Sequence, residues 1–223
     1  MTLLSRESLL NGNYLESFKK TIGIEWWSEE QILASMRETL AERPCDEPVW
    51  LFAYGSLIWN PQFKFVERAP ALLEGWRRSF CMRIIAGRGS LQQPGRMLSL
   101  APGGQTQGLA LRFAEESLES ELFMVWLREM VGGTYKPDWA TLKLNDGRKA
   151  SAIIFRFNPQ CPFHENDDSI ETITPLITSA YGQLGSNSDY VLMLHKALNE
   201  HNFHDDYVEA LATRVKRINS AIR

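Results

Sequence analysis

The stretch FAYGSLIWNP, residues 52–61, follows Val49, Trp50 and Leu51, so an apolar run breaks at Gly55-Ser56 and resumes as Leu57-Ile58-Trp59. Two readings of that break stand. One is a tight bend in a buried strand. The other is a loop whose backbone N–H groups face a ligand, with Gly55 admitting geometry closed to other residues. It is not the GxSxG turn of a nucleophile elbow, because Tyr54 stands where the first glycine would be.

Outward from this stretch the chain changes character several times. Residues 1–44 read as helical and peripheral. In SEEQILASMRETLAER (28–43), Ser28 is an N-cap, Gln31 completes a capping box, and Ile32, Leu33, Met36 and Leu40 fall at helical spacing. Pro44 closes it, and Cys45–Pro48 reads as a polar connector. Val49–Ala53 reads as a strand and Leu72–Ile85 as a longer, bent one. Arg96–Leu100 and Gly108–Phe113 read as two more, separated by the turn composition PGGQTQ (102–107). EESLESELFMVWLREMV (115–131) is the clearest helix, and Thr141–Phe157 a hairpin turning at NDG (145–147). Helical periodicity returns near Pro175 and ends with YVEALATRVKRIN (207–219). This is no regular strand–helix alternation, so an α+β fold is expected: one domain of residues 45–223 with a helical extension at 1–44.

Composition narrows the function classes. A hydrophobic content of 44% over 223 residues supports a sizeable core. The net charge of -3, with no basic block, gives no reason to expect a nucleic-acid or acidic-membrane partner. No apolar run approaches the ~20 residues of a membrane-spanning helix. Cys45, Cys81 and Cys161 form neither a CxxC pair nor a disulfide framework, and MTLLSRESLLNGNY has no long apolar core or small-residue cleavage site. A soluble cytoplasmic chain is expected. His164, His195, His201 and His204 read as surface residues. His201 and His204 have no further ligands clustered near them, so no metal is expected. No GxGxxG or GxxxxGK[ST] motif occurs, which argues against nucleotide chemistry. The seven tryptophans are dispersed and read as core.

Glu129 is the residue that chemistry singles out. At about 100° per residue, Leu118, Leu122, Val125 and Trp126 mark one apolar arc of the 115–131 helix, and Glu129 falls inside it. Either the carboxylate enters a pocket, where desolvation raises its pKa and suits it to proton transfer, or it snorkels out or pairs with an arginine. Gly132-Gly133 end the helix and let backbone approach the carboxylate. AGRGSLQQPGRMLSL (86–100) likewise has two readings: a loop that clamps a small anion through Arg88, or an ordinary surface connection.

Taken together, FAYGSLIWNP (52–61), GWRRSF (75–80), AGRGSLQQPGRMLSL (86–100), LREMVGGTY (127–135) and GSNSDYVLML (185–194) resemble the γ-glutamylcyclotransferase superfamily, and more closely its ChaC-type, glutathione-specific branch. The resemblance implies a mixed, barrel-like sheet with helices packed around it. It implies a cyclotransferase acting on glutathione without a cofactor, as a monomer or weak dimer. Glu129 matches the family's acid/base. Ala53, Tyr54, Gly55, Ser56 and Leu57 match its γ-glutamyl-binding loop, with Arg78, Arg88, Tyr135 and Tyr190 as further substrate contacts. In GSNSDY, Gly185, Asn187 and Tyr190 keep the spacing of the family's late pocket motif. One departure is Ala53, where the family commonly has Gly ahead of the Tyr. Two alternatives accompany this reading: a cyclotransferase for other γ-glutamyl amines, and a non-catalytic regulatory binder associated with cation transport.

Overall fold

The computed structural model describes residues 3–21, 25–44 and 47–221. Cys45 and Asp46, the start of the expected connector, lie outside them. Strands β1 (Trp50–Ala53), β2 (Glu67–Ile84), β3 (Gly95–Arg112), β4 (Tyr135–Leu144) and β5 (Lys149–Phe157) close into a barrel in the order β1-β3-β2-β4-β5. All neighbours are antiparallel except β1 and β5. Every residue of β1 is buried, as expected of a short strand inside a closed barrel with both faces covered.

Two sequence expectations change here. The PGGQTQ stretch is not a turn: β3 runs through it without reversing. Its partner β2 runs unbroken past Gly75, and the register shifts between Glu74 and Trp76. Gly75, Gly103 and Gly104 all have φ between 70° and 96°, so the two strands bulge together at glycines that adopt the left-handed region without strain. The glycines that suggest a turn instead bend a long two-stranded ribbon. The hairpin of β4 and β5 turns at Asn145-Asp146-Gly147 and ends at Phe157 as expected, but β4 starts earlier, at Tyr135 instead of Thr141.

Around the barrel lie α1 (Arg6–Leu10), α2 (Asn13–Lys19), α3 (Glu29–Ala41), α4 (Leu118–Glu129), α5 (Ile170–Ser179), α6 (Asn187–Glu200) and α7 (Asp206–Ala221). A two-stranded hairpin of β6 (Tyr181–Gly182) and β7 (Gly185–Ser186) precedes α6. The capping box at the start of α3 is present in both directions, Gln31 N–H to Ser28 Oγ at 3.2 Å and Ser28 N–H to Gln31 Oε1 at 2.8 Å. Helix α5 begins at Ile170 and carries Pro175 inside it, rather than starting there.

The N-terminal helices are less peripheral than their composition suggests. Leu9, Tyr14, Leu15, Phe18, Ile32 and Met36 are buried in the same core as the barrel residues. In consequence α4 has no single apolar arc. Met124, Leu127, Glu121 and Arg128 are buried as well as Leu118, Leu122, Val125 and Trp126, because α1 and α3 cover its outer side. Glu121 is the fastener. It takes Arg6 Nη1 and Nη2 at 2.7 Å each and the Lys64 N–H at 2.8 Å, so α1, α4 and the segment before β2 meet at one carboxylate.

Burial alone would raise the Glu121 carboxyl, but the Arg6 guanidinium and the Lys64 N–H overcome it and hold the group below its ordinary 4.5. The folded state therefore favours the ionised form. The stability it contributes is complete above the unfolded value and fades as pH falls through the lowered one. Arg6→Ala, which strips two donors from this buried acceptor, is expected to reduce unfolding free energy by about 1–3 kcal/mol near neutral pH. Urea unfolding of the two proteins at pH 7 and at pH 3 checks this. Equal midpoints at pH 7 would mean that Glu121 does not hold α1.

Candidate active site

After Ala53 the chain leaves β1 and makes a single 3-10 turn at Ser56–Ile58. The first bond of that turn runs from Ile58 N–H to Gly55 O at 3.0 Å, so the Ser56 and Leu57 N–H groups precede any acceptor within the turn. Gly55 itself has φ -128°, which is not a left-handed conformation. Its glycine requirement is spatial: a Cβ there would sit 2.9 Å from Tyr190 Oη and 3.3 Å from Leu98 Cδ2.

Two buried guanidinium groups fix the segment. Arg78, on β2, donates from Nε to Tyr54 O at 2.8 Å, from Nη2 to Gln107 O at 2.6 Å and from Nη1 to Asp205 at 2.9 Å. Arg128, in the last turn of α4, donates to Ser56 Oγ at 2.6 Å and to the Asn60 carbonyl, and its Nε lies 2.9 Å from Glu129 Oε1. Break and resumption of the apolar run thus have one origin: the backbone between two buried segments is held by side chains instead of by a strand ladder.

The segment forms part of the wall of a cavity of about 590 Å³. Tyr54, Gly55, Ser56, Leu57, Arg88, Glu129, Tyr135 and Tyr190 all line it. Ala53 and Arg78 are not on the cavity wall. Ala53 is fully buried in β1, paired with Leu109, and Arg78 acts from behind the segment through Tyr54 O. The Tyr54 hydroxyl donates to Phe155 O, and that of Tyr135 donates to Leu98 O at 2.9 Å, so both phenols brace the wall. Arg88 donates to Ser186 O at 2.9 Å and lies over the Tyr190 ring, 5.6 Å from its centroid. Asn187 opens α6 and accepts the Arg96 N–H on Oδ1 at 2.8 Å, which seats the helix that carries Tyr190.

Both readings of Glu129 are met at once: it lines the cavity and is paired with an arginine. Desolvation raises its carboxyl above the ordinary 4.5, opposed by the charge of Arg128 and the hydrogen bond from it. Burial also pushes the Tyr190 hydroxyl up to about 12, with the Glu129 charge adding to it. Among the described residues no group of three or more His, Cys, Asp or Glu is arranged to hold a metal ion, and none of the four histidines lines the cavity.

A family model described as ChaC-like protein matches residues 49–218. The chain belongs to the ChaC-like family. It is 44% identical over 216 residues, 97% of this chain and 94% of the other, to the glutathione-specific gamma-glutamylcyclotransferase of Escherichia coli strain K12. It is 30% identical over 152 residues, 66% of this chain and 68% of the other, to glutathione-specific gamma-glutamylcyclotransferase 1 of Homo sapiens. The crystal structure of the glutathione-specific enzyme from yeast has the same fold, with a TM-score of 0.68 at 19% identity over 77% of this chain and 97% of that one.

Several wall residues of this ChaC-like chain escape a reading of sequence alone. Arg128 is one step from Glu129 but lies about 60° beyond Val125, the nearer edge of the apolar arc, where solvent is the default. Trp26 and Trp59 line the cavity although dispersed tryptophans suggest core. Leu3, Leu4, Tyr14 and Phe18 also line it, from a segment whose sequence shows only helical spacing.

The close approach of Tyr190 to Gly55 has a measurable consequence. Gly55→Ala is expected to destabilise the protein by roughly 1–3 kcal/mol, the usual result of overpacking. Tyr190→Phe, which removes the crowded oxygen, should restore part of that loss when combined with it. A double-mutant cycle of unfolding free energies tests this, and strict additivity would show that the two groups do not collide.

Proposed function

We propose that the chain is a glutathione-specific γ-glutamylcyclotransferase that converts glutathione into 5-oxoproline and cysteinylglycine, with Glu129 as general acid and base. The observation that carries the proposal is one carboxylate of raised pKa on the wall of a peptide-sized cavity, beside the Tyr54–Leu57 segment, in a member of the ChaC-like family. The Escherichia coli relative, similar over nearly the whole chain, supports glutathione as the substrate.

The reaction is an intramolecular aminolysis. The free α-amine of the γ-glutamyl group attacks its own γ-carbonyl carbon and forms a five-membered lactam. The bond from that carbon to the cysteine nitrogen breaks. Because the nucleophile is tethered to its target, holding the substrate folded supplies much of the acceleration. Glu129 takes the proton released by the attacking amine and returns one to the departing nitrogen. A carboxylate whose pKa has moved up toward neutrality is suited to both transfers. Arg128 limits that rise, and its further bonds to Ser56 Oγ and the Asn60 carbonyl hold it in position. N–H groups of the 54–57 segment bind the γ-glutamyl moiety and the oxyanion that develops on the γ-carbonyl. Arg88 and Tyr190 bind further along the substrate.

Incubation of the purified protein with glutathione should release 5-oxoproline and cysteinylglycine in equal amounts. Absence of 5-oxoproline would remove the proposal, and equal kcat/KM for γ-glutamyl-alanine would widen the substrate class. Glu129→Gln should reduce kcat by about 10²–10⁴-fold or more while the thermal midpoint holds, because the amide keeps the shape and one acceptor for Arg128. A Gln variant that is destabilised yet active per folded molecule would take Glu129 out of the mechanism. Since Glu129 must be ionised to accept the amine proton, kcat/KM should fall as pH drops through its raised pKa. Turnover is expected to survive dialysis against a chelator. Loss of activity restored by one divalent ion would contradict a single-carboxylate mechanism.

A further inference from the structure

The geometry points to Tyr14 of α2 as a substrate-binding residue, and to the N-terminal segment that carries it as a wall of the active site. The segment lies outside residues 49–218, which the family model matches. Yet Leu3, Leu4, Tyr14, Phe18 and Trp26 all face the same cavity as Glu129 and the 54–57 segment. The wall is fastened at both margins. On one side Phe18 packs beside Gly87 and Leu184, where a Cβ on Gly87 would meet the Phe18 ring at 3.6 Å, and Ser17 Oγ accepts Gln183 Nε2 at 3.1 Å. On the other, Trp26 packs over Gly132, and the Trp27 N–H donates to Val131 O at 2.9 Å, beside the end of α4 that carries Glu129.

Within that wall Tyr14 is the polar member. Its ring is held edge-on by Phe18 at 5.0 Å between centroids, and the residue is only 4% exposed. Its hydroxyl has no hydrogen-bond partner among the described residues, unlike those of Tyr54 and Tyr135 on the same cavity. Burial raises the pKa of the Tyr14 phenol, and the charges of Arg128, Glu129 and Arg88 all act on it. Tyr14 shares the cavity wall with Arg88, Arg128 and Glu129, and its hydroxyl is a neutral donor there. Its oxygen is not sealed off from the cavity that Tyr14 lines, so the hydroxyl is open to an incoming acceptor, and a carboxylate or carbonyl oxygen of the γ-glutamyl peptide is the complement that the cavity admits.

This inference rests on the cyclotransferase reading, and its test separates the two. Tyr14→Phe keeps the ring and its contact with Phe18, so the thermal midpoint should stay unchanged. KM for glutathione should rise roughly tenfold with kcat little altered, the pattern of a hydrogen bond made equally to ground state and transition state. In a Glu129→Gln background, where turnover is suppressed, calorimetric Kd for glutathione should weaken by the same factor on adding Tyr14→Phe. Wild-type activity together with unchanged KM and Kd in the Phe variants would overturn the role of Tyr14 and leave the cyclotransferase reading intact. A wild-type protein silent toward glutathione would overturn both.

Discussion

The site depends on a backbone segment that lies outside the barrel ladder and has one 3-10 turn of its own. Between Tyr54 and Asn60 the chain leaves the barrel ladder, and the carbonyls at its two ends, Tyr54 O and Asn60 O, are met by two guanidinium groups. Arg78 takes Tyr54 O, and Arg128 takes Asn60 O together with the Ser56 hydroxyl. A hydrogen bond from a charged donor contributes about 1.5–3 kcal/mol, more than a neutral one, and arginine offers several in a fixed fork. These bonds fix the segment from outside, while the Ser56 and Leu57 N–H groups precede the first bond of its own turn, Ile58 N–H to Gly55 O. Arg78 in turn needs Asp205 and Gln107 O, so the end of β1, the middle of β2 and β3 and the start of α7 are drawn into one polar knot.

Arg128 joins that segment to Glu129, the proposed acid–base residue. It is the direct neighbour of Glu129, and the same guanidinium that holds Ser56 and Asn60 lies 2.9 Å from the Glu129 carboxylate. Burial and pairing act on this carboxylate in opposite directions. Desolvation raises its pKa, and the charge and hydrogen bond of Arg128 oppose that rise. With full burial of the pair away from the cavity, it would be a structural ion pair with no access to substrate. Its position at the last turn of α4, with the cavity on one side and Arg128 on the other, leaves the carboxyl raised in pKa and on the cavity wall.

The N-terminal helices explain why α4 can carry two charged residues inside the protein. They cover the face of α4 that would otherwise meet solvent, and Arg6 neutralises Glu121 there. The same packing brings Tyr14, Phe18 and Trp26 to the cavity. Support of α4 and enclosure of the cavity are therefore one structural act, performed by a segment that local sequence marks only as helical.

Local sequence determined the elements whose signals are local. The capping box at Ser28 and Gln31, the hairpin at Asn145–Gly147, the helix around Leu118–Glu129 and the short apolar β1 follow from spacing and turn chemistry. The combination of motifs was enough to state the family and to bring Tyr54–Leu57, Arg88, Glu129, Tyr135 and Tyr190 forward together. Tertiary structure decided what depends on partners distant in sequence. Gly103 and Gly104 bend a ribbon instead of turning it, because β2 bulges opposite them at Gly75. Gly55 has no left-handed φ, and a Cβ there would meet the oxygen of Tyr190, a residue 135 positions away. Arg78 serves the segment from behind, Arg128 is buried although helical periodicity turns it outward, and Tyr14 reaches the cavity from another helix. Periodicity reports which way a side chain points from its own element. Only the packed structure decides what stands there to meet it.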